Sequence, residues 1–391
     1  MVLTSLEKKM ANFKLNIADF FYRRLIRPVL FRLSNAQRSH EQILAFIGYL
    51  DDRSLANKLL QKLNQSKPVD LYYGGVHLSH PFILAAGFVK GMGFENEAEA
   101  LKAVDKQNII PGWKSVPHLV GQVELGSYTA YPRLGNEGTV IWRDVKTKST
   151  QNRVGLKNPG AKATALFLAK RRHDLPPVFG INIAVSPGVS DLDQQVKEVQ
   201  YAIDQFISNQ VFPSWFTLNI SCPNTEDDPS ANQTEKLAES LGQRLLDKLN
   251  QLEKAIPLWV KISPDLSALQ YQRLADTLAK IGVSAIVIGN TLAMPTPDDA
   301  NLMAGVGGGK LFPQTQQAAE YLADYIHQKK LAIDLIACCG ILDGEKAFTY
   351  QSLGIQAYQY WSALIYRGPF AARILEKEVN EYIERNRSTT P

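Results

Sequence analysis

The 391-residue sequence predicts an α/β fold, a (β/α)8 or TIM barrel preceded by an N-terminal helical extension. Eight short apolar runs, each typical of a buried strand, alternate with eight longer helical patterns over roughly 310 residues. A doubly wound open sheet is the rival arrangement, but eight units favour closure into a barrel. Hydrophobic residues make up 45% of the chain, enough to bury a large core. The predicted domains are residues 1–67, the extension, and residues 68–391, the barrel.

The positive charge of the chain is concentrated in the extension. Residues 1–40 contain eight Lys or Arg against Glu7 and Asp19, a balance of +6, whereas the whole chain carries +5. The other 351 residues therefore sum to −1. This distribution gives the main body no overall attraction for nucleic acid, and we expect no nucleic-acid partner.

Residues 17–33 form a cationic amphipathic pattern in which apolar residues recur at helical spacing with arginines between them. Such a segment suits a membrane interface, and we expect residues 1–50 to contact a membrane surface. The alternative is a basic helical pair packed on the protein's own body. Pro28 predicts a break or a kink, and so two short helices, followed by a third over residues 39–49. The apolar runs are too short to span a bilayer, and the serine-poor composition disfavours a transit peptide.

The strand and helix patterns follow one another along the rest of the chain. Strands are predicted at residues 81–87, 120–126, 178–184, 215–221, 257–263, 285–290, 335–340 and 357–362. Helices are predicted at residues 96–104, 160–173, 192–208, 233–252, 267–281, 313–328, 344–352 and 369–382. Residues 127–153 and 294–310 do not fit the alternation, and we expect them to form excursions over the mouth of the barrel.

The residue types exclude several classes of site. Three cysteines are too few for a disulfide framework or a four-cysteine metal centre, so no metal site is predicted. His77 and His80 lack acidic or cysteine neighbours in the sequence, which favours structural roles. The predicted strand ends carry few carboxylates, which argues against a glycosidase pair, and no Gly-x-Ser-x-Gly elbow is present. The adjacent Cys338 and Cys339 are predicted to be packed strand-end residues.

The predicted strand ends are instead rich in amides and lysines. Lys90, Asn219, Lys261 and Asn290 all lie at carboxyl ends of predicted strands, where barrels carry their active sites. Asparagine both donates and accepts hydrogen bonds, which suits a planar ligand with amide groups, and lysine suits an anionic group. The glycine run at residues 305–309 could approach a phosphate with its backbone amides, or it could be a flexible loop.

Four motifs in order resemble dihydroorotate dehydrogenase. They are Ala85-Ala-Gly-Phe-x-Lys90, Asn152-Arg-x-Gly155, Asn219-Ile-Ser-Cys-Pro-Asn224-Thr and Lys261-Ile-Ser-Pro-Asp265. Residues 21–44 also resemble the N-terminal extension of the class 2, membrane-associated, quinone-reducing branch. The resemblance implies an FMN enzyme that oxidises dihydroorotate to orotate in pyrimidine synthesis and passes the electrons to quinone. It also implies a peripheral protein at the cytoplasmic face of an inner membrane.

The resemblance also assigns roles to residues. Cys222 falls at the catalytic base, which removes a ring-carbon proton while the neighbouring carbon gives hydride to the flavin. Lys261 would stabilise the negative charge that develops on the reduced ring. The implied substrate-binding residues are Lys90, Asn152, Asn219, Asn224, Asn290 and Thr291. The implied FMN-binding residues are Ala86, Gly87, Ser127, Asn182, Lys261, Gly305, Gly340 and Ser362.

The chain departs from the class 2 pattern at a few positions. The class 2 branch usually has serine at the position of Cys222, whereas the soluble branch has cysteine there. A thiol ionises more readily than a hydroxyl group. Leu156 and Lys157 replace a usual Phe-Asn pair, Trp361 replaces a tyrosine, and Cys339 stands where a glycine is usual. Two alternatives therefore stay open, namely a paralogue with another dihydropyrimidine or electron acceptor, and a non-catalytic flavin-binding protein.

Overall fold

A computed structural model describes residues 5–63, 69–220 and 235–388 of the chain. The strands are β1 (Leu71–Tyr73), β2 (Val76–Leu78), β3 (Phe82–Leu84), β4 (Val123–Tyr128), β5 (Ile141–Asp144), β6 (Ser149–Asn152), β7 (Phe179–Ala184), β8 (Trp215–Asn219), β9 (Leu258–Ile262), β10 (Ala285–Ile288), β11 (Leu292–Pro295), β12 (Met303–Gly308), β13 (Asp334–Cys338) and β14 (Ala357–Tyr360). The helices are α1 (Ser5–Phe21), α2 (Arg27–Leu33), α3 (Ala36–Asp51), α4 (Ser54–Leu63), α5 (Glu97–Ala103), α6 (Ser115–Val120), α7 (Ala161–Ala169), α8 (Leu192–Ser208), α9 (Glu235–Leu249), α10 (Ala268–Ile281), α11 (Phe312–Lys329), α12 (Gly344–Ser352), α13 (Ser362–Arg367) and α14 (Ala371–Ser388).

Within these ranges, eight parallel strands close into a barrel in the order β3, β4, β7, β8, β9, β10, β13 and β14. Each strand overlaps one of the eight predicted strands, so the predicted barrel is confirmed. The strands are buried on both faces because helices cover the outside and side chains fill the inside. The larger apolar core lies between the strands and the surrounding helices.

The interior of the barrel is filled at its amino-terminal end by stacked aromatic rings. Trp215 and Trp259 lie with their ring centroids 4.3 Å apart. Gly180 makes room for this pair, because a Cβ atom there would stand 2.2 Å from the Trp215 ring. The β1–β2 hairpin closes this end, and Trp259 Nε1 donates to the Gly74 carbonyl oxygen at 2.7 Å. With this end packed shut, the opposite end is left for a site.

The two segments that break the alternation pair with each other. Strands β11, β12, β6 and β5 form an antiparallel sheet in that order, with Gly305 opposite Asn152. Trp142 Nε1 also donates to Asp298 Oδ2 at 2.6 Å, which joins the two segments by a side-chain hydrogen bond. The excursions predicted at residues 127–153 and 294–310 are therefore confirmed as one small sheet at the barrel mouth.

The extension is helical over the predicted residues, but Pro28 does not break it. A π-helical turn, Tyr22–Ile26, joins α1 directly to α2, and the Arg27 amide donates to the Tyr22 carbonyl oxygen. A π-turn re-spaces the hydrogen bonds just before the proline, which has no amide hydrogen to donate. The two expected helices are therefore α1 and α2, and a π-helical turn rather than a break joins them. The predicted third helix is α3, and α4 follows it.

The inner face of the extension is held to the barrel by buried polar contacts. Arg367 pairs with Asp19 of α1, with Nε to Oδ1 at 3.1 Å, and with Glu378 of α14. Asp51 at the end of α3 accepts hydrogen bonds from the backbone amides of Gly112, at 2.7 Å, and Ser115, at 2.8 Å. The outer face carries exposed apolar side chains, among them Phe13, Ile17, Phe20, Phe21, Leu25, Val29 and Leu33.

Candidate active site

A cavity opens at the carboxyl ends of the barrel strands, beneath the small antiparallel sheet. Its walls come from seven barrel strands or the segments that follow them, from β5, β6 and β12 of the small sheet, and from α3. The lining residues are His40, Ala85, Ala86, Gly87, Lys90, Ser127, Ile141, Thr150, Gln151, Asn152, Val154, Gly155, Leu156, Asn219, Lys261, Asn290, Thr291, Gly307, Gly308, Cys338, Cys339, Gly340, Ile341, Leu342, Tyr360, Trp361 and Ser362.

Five of the six predicted substrate-binding residues meet in this cavity. Asn290 Nδ2 donates to Asn219 Oδ1, and Asn219 Nδ2 donates to Ser127 Oγ, both at 3.3 Å. Lys90, Asn152 and Thr291 lie on the same walls. Cys222 and Asn224 lie outside the described residues. The cavity can therefore present an ammonium group and several amides to one small planar ligand.

Six of the eight predicted cofactor-binding residues also line the cavity, namely Ala86, Gly87, Ser127, Lys261, Gly340 and Ser362. Asn182 is fully buried inside the barrel, where its Nδ2 donates to Glu124 Oε1 at 2.8 Å. Gly305 lies within the small sheet, two residues before the lining Gly307. Neither Asn182 nor Gly305 is on the cavity wall itself.

A buried polar network lies inside the barrel and reaches the cavity through Lys261. Glu124 Oε2 accepts hydrogen bonds from Trp215 Nε1 at 3.0 Å, Thr217 Oγ1 at 2.5 Å and Gln359 Nε2 at 3.0 Å. Gln359 Oε1 in turn accepts from Lys261 Nζ at 3.0 Å. The network therefore fixes the position of the lysine, since each partner is itself hydrogen-bonded.

Lys261 is cationic at neutral pH despite its burial. Burial alone would lower its pKa, but the negative charges of the Cys338 thiolate and the Glu124 carboxylate outweigh that effect and raise the pKa above its ordinary value. The site thus holds a permanent positive charge in a region of low dielectric, where it acts strongly on an anionic group.

The glycine-rich wall of the cavity contains residues with positive φ angles. Gly308 has φ +92°, and a Cβ atom there would lie 2.7 Å from the Lys148 carbonyl oxygen. Gly340 has φ +73°, and the hydroxyl groups of Ser362 and Thr150 are 2.9 Å apart beside this wall. Backbone amides of glycines together with hydroxyl groups are suited to an anion such as a phosphate. This supports the phosphate interpretation of the glycine run over the flexible loop.

The extension contributes His40 to the cavity. Its ring packs against Phe88 and Trp361, with centroids 5.9 and 6.4 Å away. Burial, helped by the positive charges of Lys90 and Lys157, lowers its pKa to about 4. His40 is therefore neutral at pH 7, and it places the extension in direct contact with the cavity.

The model of the dihydroorotate dehydrogenase family matches residues 72–383. The chain belongs to this family. Two curated relatives are named dihydroorotate dehydrogenase (quinone). The protein of Coxiella burnetii (strain Dugway 5J108-111) is 28% identical over 94% of this chain and 98% of its own. The protein of Gloeobacter violaceus is 27% identical over 93% of this chain and 95% of its own. The dihydroorotate dehydrogenase of Eimeria tenella, solved with ferulenol, has a TM-score of 0.71 at 22% identity, covers 92% of this chain and 95% of its own, and shows the shared fold.

Dihydroorotate dehydrogenases have a flavin cofactor, and the residues of this cavity fit such a group. Behind the cavity wall, Asn182 Oδ1 is buried and accepts no hydrogen bond from the described residues. A Cβ atom at Gly87 would have Trp361 Nε1, 3.6 Å away, as its single neighbour within 4 Å among the described residues. It would therefore project into open space, which the glycine leaves free. The amides, hydroxyl groups and single buried ammonium match the mixed donor and acceptor edge of a flavin.

Several residues at or near this dihydroorotate dehydrogenase cavity were not predicted as site residues. Glu124 stands out in the predicted strand at residues 120–126 as a charged residue among apolar ones, and this signal could have identified it. Gln359 has the same signal in its strand. His40 and Thr150 gave none, because their approach to the cavity depends on how the extension and the small sheet fold over the barrel. By contrast, His80 is structural as predicted, with Nε2 2.8 Å from Glu376 Oε2.

Proposed function

We propose that this chain oxidises dihydroorotate to orotate in pyrimidine synthesis, with FMN as its flavin and a quinone as the electron acceptor. Family membership and the relatives named as quinone enzymes support this reaction. The observation that carries the proposal is the convergence of Lys90, Asn152, Asn219 and Asn290 on one cavity with Lys261. This set complements a small ring that bears amides and one carboxylate.

Substrate orientation is assigned to the polar walls of the cavity. Lys90 pairs with the substrate carboxylate, since an ammonium group is the natural partner of an anion. The amides of Asn152, Asn219 and Asn290 match the alternating N–H and C=O groups of the ring, and Thr291 contributes its hydroxyl. Asn224 completes the set by the family resemblance.

Proton removal is assigned to Cys222. The residue lies outside the described part of the chain, so this assignment depends on the Asn219-Ile-Ser-Cys-Pro-Asn224-Thr motif alone. A thiol has an ordinary pKa near ~8.5, so modest stabilisation of its thiolate makes it a general base near neutral pH. The expected consequence is an alkaline rise in turnover that a serine at this position would not give.

The flavin is assigned to the glycine-rich side of the same cavity, and when bound it supplies the hydride acceptor. Gly340 and Ser362 would hold its phosphate, together with the backbone of the run that begins at Gly305. Lys261 places a positive charge where an anionic ring needs one. Ala86, Gly87, Ser127 and Asn182 complete the set around the ring system.

Membrane contact is assigned to residues 1–50, and specifically to the outer face of the extension. Phe20, Leu25 and Val29 are 57%, 52% and 53% exposed, and Arg23 and Arg24 lie among them. None of the helices described is long and apolar enough to cross a bilayer. Aromatic and aliphatic side chains flanked by arginines fit peripheral binding at an interface. We place that interface at the cytoplasmic side of an inner membrane, where quinone dissolves in the lipid.

The first experiment is anaerobic mixing of the purified full chain with dihydroorotate, followed by the visible absorbance of the flavin. We expect rapid bleaching, and restoration of the absorbance by a short-chain quinone. Lys90→Ala should bleach only at much higher substrate concentration, whereas Lys102→Ala, at an exposed position on α5, should behave like the parent. A yellow protein that stays yellow would refute the substrate assignment, and a colourless one would refute the cofactor assignment.

A further inference from the structure

Cys338 and Cys339 adopt a backbone geometry that brings two neighbouring thiols to the same cavity. Adjacent residues of a strand normally point to opposite faces. Strand β13 ends at Cys338, and Cys339 has φ +84°, in the left-handed region that favours glycine. Both residues line the flavin cavity, and Cys339 Sγ donates to the Asn290 carbonyl oxygen at 3.3 Å. Both residues pack against the apolar core at the end of the strand, as the sequence predicts, and both also line the cavity.

The charges around the pair favour one thiolate next to one thiol. The neighbouring Cys339 thiol lowers the pKa of Cys338, and the positive charge of Lys261 lowers it further against the effect of burial. Cys339 keeps its proton, and its Sγ lies 3.3 Å from the Asn290 carbonyl oxygen. A stabilised thiolate beside a protonated thiol is the arrangement from which a disulfide forms.

We propose that Cys338 and Cys339 are a reversible redox site that hydrogen peroxide converts into a disulfide between the two neighbours. In the first step the Cys338 thiolate attacks one peroxide oxygen, the O–O bond breaks, and a sulfenic acid and hydroxide form. In the second step Cys339 Sγ attacks the Cys338 sulfur, the S–S bond forms, and the sulfenic oxygen leaves as water with the Cys339 proton. Two thiols are oxidised and one peroxide is reduced to two waters.

The spacing of the two residues makes this bond easily reversible. Neighbouring Cα atoms lie ~3.8 Å apart across a trans peptide. Ordinary disulfides join Cα atoms about 4.4–6.8 Å apart, and shorter spans store strain that favours reduction. Exposed or strained disulfides are the ones that act as reversible switches rather than as structural links.

The consequence for the cavity depends on the proposed flavin function. Cys339 directly precedes Gly340, which is assigned to the cofactor phosphate, and Cys338 contacts Lys261. Disulfide formation removes the thiolate beside Lys261 and constrains the turn that leads into Gly340. We therefore expect the oxidised protein to bind flavin more weakly than the reduced protein.

The test uses the full chain, reduced and then treated with one equivalent of hydrogen peroxide. Remaining thiols are alkylated, and the digested protein is examined by mass spectrometry. We expect a single peptide containing both cysteines to lose two hydrogens and two alkylation sites, and a phosphine reductant to restore them. A disulfide from Cys222 to either residue, or oxidation of one thiol only, would overturn the proposal.

Cys339→Gly is the matched variant, because glycine accepts the left-handed φ and the fold should be retained. In this variant the reaction should stop at a Cys338 sulfenic acid that dimedone traps, whereas the parent should trap little. Loss of two thiols from Cys339→Gly would contradict the pairing. The thiol measurement does not require catalytic turnover, so a failure of the redox proposal can be distinguished from a failure of the proposed function. The fluorescence of flavin released on oxidation tests whether the disulfide weakens flavin binding. Flavin retained by the oxidised protein would overturn that expectation.

Discussion

The barrel and the N-terminal extension both contain amphipathic helices, but they place the apolar faces in opposite environments. Helix α8 of the barrel buries Val196, Val199 and Phe206 against the strands. Helix α1 turns Asp19 towards the barrel and leaves Phe13 and Phe20 exposed to solvent. The comparison shows that the barrel buries its apolar faces internally, whereas the extension attaches through polar contacts and a few apolar residues such as Ile47, and leaves most of its apolar side chains on an external surface.

Within the barrel, the largest loss of activity is expected on substitution of Lys261. Lys261→Met should lower kcat/KM for dihydroorotate about 10³-fold, because a positive charge fixed in a low-dielectric cavity is lost. Steady-state kinetics with flavin content measured in parallel provides the check. Lys329→Met, at an exposed lysine of α11, is the control. An effect on Lys261→Met below tenfold would mean that the buried network does not serve the chemistry.

The attachment between the two regions is tested at Arg367. Arg367→Met should destabilise the protein by about 3–5 kcal/mol, because the buried carboxylates of Asp19 and Glu378 lose their partner. The control is Arg23→Met, which removes a more exposed partner of the same Asp19, 2.8 Å away, and should cost less than ~1 kcal/mol. Urea denaturation measures both. Equal losses in the two variants would show that the buried contact has no special role.

The outer face of the extension is tested by vesicle binding. Changing Phe20 and Leu25 to serine should weaken binding to vesicles with anionic lipid about 100-fold, since each buried side chain contributes ~1.5 kcal/mol. The matched control changes Phe212 and Leu269, which are 54% and 55% exposed on the barrel, to serine. Flotation of the full chain gives the partition. Similar losses in both double variants would refute the assigned membrane face.

The smallest effect is expected at His40, where the two regions meet in the cavity. Its pKa is lowered to about 4, so the unfolded state binds more protons than the folded state between pH 6.5 and pH 4. Stability should therefore fall by about 2.5 kcal/mol as the pH decreases through this window. His40→Gln should flatten that slope, and His77→Gln, at an exposed ring, should leave it unchanged. An unaltered slope in His40→Gln would contradict a neutral buried ring.

Local patterns in the sequence were enough for the barrel and for most of the site. Apolar runs of strand length alternate with helical periods, and that alternation depends only on neighbouring residues. The strand ends then bring Lys90, Asn219, Lys261 and Asn290 to one rim, because parallel strands of a barrel end at the same face. The amphipathic pattern of the extension likewise came from local spacing.

Tertiary structure decided the features that depend on distant partners. Glu124, Lys261 and Gln359 meet only through the stagger of β4, β9 and β14, and no local pattern sets that stagger. Pro28 stays within a helical segment because a π-turn re-spaces the backbone, and His40 reaches the cavity because the extension is held by Arg367 and Asp51. The sequence by itself determined the elements and their order, since these follow from short-range periodicity. The tertiary structure alone decided which buried charges pair and which residues share the cavity, because those contacts depend on register and on the left-handed backbone of Cys339.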